Sequence, residues 1–72
     1  MGFSYSKLFD LLCKRNLNLE SLRLSTGVSS ATIAKLSKNQ TVSMEVLGKF
    51  CKVLNCNIGS IVDYLDDSLN NG

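Results

Sequence analysis

The stretch Asn18–Asn39, NLESLRLSTGVSSATIAKLSKN, constrains this chain more than any other. Leu19, Leu22 and Thr26 recur at helical spacing before Gly27, and Ile33 and Leu36 recur after it, which predicts two short helices broken at a tight turn. Gly27 suits the left-handed conformation that ends a helix, and Ser29 is a good N-cap for the next one. Two helices joined so closely cross steeply, which leaves the second with one face against the first and the opposite face free. Steps of about 100° per residue put Ser29, Thr32, Ile33 and Leu36 on the inner side. The outer side carries Ser30, Ala31, Ala34, Lys35 and Lys38. That outer face is small and basic, so it can approach a partner closely and bring charge to phosphates. Those are the requirements of a helix that enters a DNA major groove.

The flanking segments supply the remaining core. A first helix is expected over Ser4–Lys14, with Tyr5, Leu8 and Leu12 on one face. Asn18 is placed to cap the following helix, and Leu17 to tuck beneath it as a hydrophobic staple. After the polar loop Asn39–Val42, Ser43 caps a fourth helix from Met44 to Leu54, whose Val46, Leu47, Phe50, Cys51, Val53 and Leu54 fill one arc. Ile58, Ile61, Val62 and Leu65 predict a fifth short helix capped by Asn57. With no proline and weak strand alternation, the expected class is all-α, one domain over residues 1–66. Residues 67–72 are expected to form a frayed or disordered tail.

Charge is divided unevenly. All eight basic residues precede residue 63, against Asp10, Glu20 and Glu45, while Asp63, Asp66 and Asp67 make the C-terminus acidic. A basic body with an acidic end suits a nucleic-acid binder, and a mixed solvated surface would read the same way. Without histidine no catalytic triad can be built, and no glycine-rich phosphate loop is present, so neither an enzyme nor a small-molecule substrate is indicated. Cys13, Cys51 and Cys56 form no C-x-x-C pair, so they read as free thiols with no metal or other cofactor. No apolar run is long enough for a membrane span, and a cytoplasmic location is expected.

The segment LESLRLSTGVSSATIAKLSK resembles the helix-turn-helix of the Cro and phage-repressor family, the xenobiotic-response-element family of bacterial and phage regulators. Leu22, the Gly27-Val28 turn, Ile33 and Leu36 carry the likeness, and SYSKLFDLL before it and VSMEVLGKFCKVLNCNIGSIVDYL after it extend it to nearly the whole chain. The resemblance implies a five-helix, lambda-repressor-like domain with the helix-turn-helix at helices 2 and 3. It also implies sequence-specific binding of double-stranded operator DNA by a regulator, first of all a repressor. Ser30, Ala31, Thr32 and Lys35 match positions that reach base edges, and Arg23, Ser29, Lys38 and Asn39 are the expected backbone contacts. Two positions depart from the family pattern. Glu20 stands where many members carry a phosphate-binding Gln, and Arg23 stands where a small residue lets the helices pack. Arg23 must shift the crossing or snorkel outward, where it could take over the phosphate contact that Glu20 loses.

One recognition helix reads few base pairs, so a two-fold homodimer is expected, its contacts placed around Tyr64, Leu65 and Leu69. A second reading stays open. The same fold, without strong DNA binding, could be a protein-interaction module, which Glu20, the modest charge and Leu24 on the surface favour.

Overall fold

The computed structural model describes residues 2–65. A short strand β1 (Gly2–Ser4) leads into helices α1 (Ser6–Lys14), α2 (Leu19–Thr26), α3 (Ser30–Ser37) and α4 (Met44–Leu54). A 3-10 turn (Ile58–Ser60) and strand β2 (Asp63–Leu65) follow. Three of the four expected N-caps are in place. Asn18 Oδ1 accepts from Ser21 N–H (2.8 Å), Ser29 Oγ from Thr32 N–H (3.2 Å) and Ser43 Oγ from Val46 N–H (3.2 Å). Each such cap satisfies a helix-end donor and contributes about 1 kcal/mol.

The helix ends follow a single rule. Gly27 is left-handed (φ 76°) and closes α2 through its N–H to Arg23 C=O at 2.8 Å. The other three helices end at asparagines in the same region, Asn16, Asn39 and Asn55. In each case the residue after the asparagine donates back five positions: Leu17 to Leu12, Gln40 to Lys35 and Cys56 to Cys51. Asparagine is the second choice after glycine for this geometry, and the bond satisfies a carbonyl the helix leaves open. Leu17 thus belongs to the α1 terminus, and at 38% exposure it is not the staple beneath α2 that the sequence suggests.

The fold departs from the expected five helices, and the described residues hold four. Residues 58–65 form a single 3-10 turn and then an extended strand, and Asn57 makes no side-chain cap. A helix there would be too short to persist without strong packing, it would carry Gly59 inside, and Ile58, Ile61 and Val62 are β-branched. The extended alternative has a partner. β2 pairs antiparallel with β1, matching Gly2 to Leu65, Phe3 to Tyr64 and Ser4 to Asp63. For the same reason Ser4 is in a strand rather than in α1, where its Oγ accepts from Ser6 N–H at 3.3 Å. The rings of Phe3 and Tyr64 meet edge to face with centroids 5.2 Å apart. Asp63, read from sequence as part of an acidic tail, lies 3.0 Å from Lys7 Nζ, which also donates to Gly59 C=O at 3.1 Å.

The core comprises Tyr5, Leu8 and Leu12 of the first segment, Leu22, Val28 and Leu36 of the helix-turn-helix, Leu47, Phe50 and Leu54 of α4, and Ile61. Phe50, with no exposed surface, lies in this core with Leu47 and Leu54, as the apolar arc of α4 predicts. Arg15 donates from Nη1 to Leu54 C=O, placing a cation on the C-terminal end of α4. Residues 67–72 and Leu69 lie outside the described residues.

Candidate nucleic-acid interface

The geometry of α3 follows from two anchors. Leu36 is fully buried and Ile33 packs half-buried against the core, so α3 cannot rotate without exposing them. Ser30, Ala31, Ala34, Lys35 and Lys38 are consequently exposed, as the helical wheel requires. Thr32 is half-buried, its N–H held by Ser29 Oγ and its hydroxyl 3.1 Å from the same oxygen. Ser29 therefore serves first as the cap that sets the start of α3. Its hydroxyl and that of Thr32 remain at the helix N-terminus, where the unpaired N–H groups of the first turn favour an anion.

The loop after α3 is tied down by a residue that sequence reasoning assigned only to the core. Tyr5, 2% exposed, donates from its hydroxyl to Gln40 C=O at 2.8 Å. Its backbone N–H donates to Asn39 Oδ1 at 3.3 Å. Asn39 thus spends its side-chain carbonyl on the start of α1, which leaves its amide N–H groups to donate elsewhere. Burial pushes the Tyr5 hydroxyl above its ordinary pKa, more than a backbone hydrogen bond at Val42 lowers it. The only sequence sign of this tie is a tyrosine where the core pattern would accept any large apolar residue.

Arg23 leaves the helix crossing. Its Nε bonds Glu20 Oε1 at 2.5 Å, one turn back along α2, and both side chains reach solvent. The hydrogen bond from Arg23 holds the Glu20 carboxyl below the usual carboxylate range, and the same bond raises Arg23. Glu20 is thereby neutralised by a neighbour on its own helix. The two terminal amino groups of Arg23 make no hydrogen bond among the described residues.

These partners sort the positive charge. Lys7, Arg15 and Arg23 are engaged with protein oxygens. The side chains of Lys35 and Lys38, on and beside α3, like those of Lys14, Lys49 and Lys52, make no ion pair or hydrogen bond among the described residues. They have no competing partner to leave before meeting a phosphate. Among those residues there is also no group of three or more His, Cys, Asp or Glu able to hold a metal ion, and no helix long and apolar enough to cross a membrane.

A separate apolar surface lies beside the sheet. Phe3, Tyr5, Val42, Met44, Ile58 and Val62 are among the residues lining a cavity of about 110 Å³, with Met44 70% exposed at its rim. Tyr64 and Leu65 are about half exposed on β2.

Comparison with curated proteins finds no match. Among solved structures the chain is similar to the transcriptional regulator VanUg (crystal form II), with 44% identity and a TM-score of 0.88 over 92% of this chain and 88% of that one. The family model of the Cro/C1-type helix-turn-helix DNA-binding domain matches residues 7–67, a span that takes in α1 from its second residue, the other three helices and the turn at Gly27. By that match, and by the crossing of α2 and α3 with its small basic outer face, the chain belongs to the Cro/C1-type helix-turn-helix family.

Proposed function

We propose that this protein is a sequence-specific double-stranded DNA-binding transcriptional regulator, a repressor of the bacterial or phage type, that acts without catalysis in the cytoplasm. The observation that carries this is the face of α3, which has Ser30, Ala31 and Lys35 in the open and no bulky side chain among them. The hydroxyls of Ser30 and Thr32 can donate to or accept from a base edge, Ala31 can meet a thymine methyl, and Lys35 can reach guanine O6 or N7. Arg23, Ser29, Lys38 and Asn39 take the phosphates on either side. Arg23 does so with its terminal amino groups while Glu20 orients it from Nε, which turns the unfavourable carboxylate into a positioning group. Repression then follows from occupying the operator.

The binding unit is a homodimer on a roughly palindromic site, since two recognition helices about 34 Å apart reach successive major grooves. The apolar surface of Phe3, Met44, Ile58 and Tyr64 supports that reading, because exposed apolar groups lying close together mark an association surface.

Selecting bound duplexes from a random DNA pool, followed by titration of the Lys35→Glu variant, tests this function. The variant should melt like the parent and lose at least tenfold in affinity, and unchanged affinity with an unchanged melt would refute the groove assignment. Light scattering at saturation should give two chains per duplex. A second reading, a protein-docking module of the same fold, is favoured by Leu24, 69% exposed on α2. Under that reading the pool yields no enriched sequence and no binding that weakens with salt.

A further inference from the structure

The terminus of α4 brings together two of the three thiols. Cys56 N–H donates to Cys51 C=O at 3.1 Å, with Asn55 left-handed between them (φ 53°, ψ 54°). A helix end of this type sets the side chain two residues past the helix against the one at its fourth-last position, a contact ordinarily made by an apolar pair. Here both positions are cysteine. Both side chains are half-buried against the core, and both are free thiols. A disulfide needs Cα atoms about 4.4–6.8 Å apart, and the backbone N–H to O bond between the two residues draws their backbones together toward that range.

We propose that Cys51 and Cys56 form an oxidisable dithiol that closes to an intramolecular disulfide under a hydroperoxide and clips the turn after α4. Burial, and then the neighbouring Cys56 thiol, push the Cys51 thiol above its ordinary pKa, which disfavours Cys51 as the attacking thiolate. The Cys56 thiolate takes one peroxide oxygen, the O–O bond breaks, and the other oxygen leaves as water, giving a sulfenic acid. The Cys51 sulfur then attacks the Cys56 sulfur. The S–S bond forms, the S–O bond breaks, and a second water departs with the Cys51 proton. One hydrogen peroxide is reduced to two waters for each pair of thiols oxidised.

The clip spans the link from α4 to the 3-10 turn and β2, and no residue of α3 belongs to it. It therefore holds the chain in the conformation already present, and it stops the thiols short of irreversible oxidation. Cys13 is exposed and has no such neighbour at its own helix end, where the paired positions are Leu12 and Leu17.

The test exposes the full-length Cys13→Ser chain to hydrogen peroxide at stoichiometric amounts, then blocks free thiols with a maleimide. Mass spectrometry should find an unlabelled monomer lighter by two hydrogens, with the Cys51 and Cys56 peptides joined. Its Tm should rise by roughly 4–8 °C and return on adding a reductant, and the further change Cys56→Ser should abolish that rise. Two maleimides on the oxidised monomer, a dimer joined through these cysteines, or a joined pair with an unchanged or lower Tm would each overturn the proposal.

Discussion

The Tyr5 hydroxyl is the most economical place to ask how the frame of the domain controls the loop after α3. Tyr5→Phe keeps the ring in the core and removes the hydroxyl with its 2.8 Å bond to Gln40 C=O and its backbone hydrogen bond at Val42. A neutral hydrogen bond contributes about 0.5–1.5 kcal/mol net. Gln40 is exposed, so water can take over its carbonyl, and the expected loss is near 1 kcal/mol. At 72 residues the total stability is on the order of 4–11 kcal/mol, so the variant stays folded and melts about 4–8 °C lower. Tyr5→Ala, by contrast, leaves a cavity where a 2%-exposed ring stood, at a cost of about 3–5 kcal/mol. Thermal melts by circular dichroism of parent, Phe and Ala variants should therefore fall in three separate places. A Phe variant melting within a degree of the parent would show that the bond holds nothing, and one melting with the Ala variant would show that the hydroxyl belongs to the core itself.

Other perturbations probe other parts of the chain. Phe50→Ala should cost about 3–5 kcal/mol and leave the domain largely unfolded at 37 °C, and a cooperative melt near that of the parent would remove α4 from its central role. Arg23→Ala should weaken binding about equally on all duplexes and flatten the slope of log K against log salt by roughly one unit, with little change in the melt. A large drop in Tm at constant slope would instead make Arg23 a packing residue. In alkali, Cys51 and Tyr5 both hold their protons to higher pH in the folded chain than their ordinary values of 9.0 and 10.0. Their contribution to stability is complete below those values and is lost as pH rises through the folded pKa values, so denaturant midpoints should fall from about pH 9 upward. A combined Cys51→Ala, Tyr5→Phe variant should show a shallower fall, and an identical one would contradict the assignment.

What the sequence determined by itself is local. Asn18, Ser29 and Ser43 cap the helices they precede, and Gly27 turns left-handed between α2 and α3, because a cap needs only residues two or three positions away. The outward face of α3 was legible for a similar reason, since Leu36 and Ile33 fix the rotation of a helix whatever it packs against. The tertiary structure decided whatever depends on a distant partner. Residues 58–65 have apolar spacing that fits a helix as well as a strand, and their choice rests on Gly2–Ser4, near the other end of the chain, offering an edge to pair with. The charge on the surface was decided the same way. Composition counts eight cations alike, yet Lys7 meets Asp63, Arg15 meets the end of α4, and Arg23 meets Glu20, while the side chains of Lys14, Lys35, Lys38, Lys49 and Lys52 stay unclaimed among the described residues. A side chain of several rotatable bonds takes whichever oxygen the fold brings within reach, and that geometry exists only once the helices have packed.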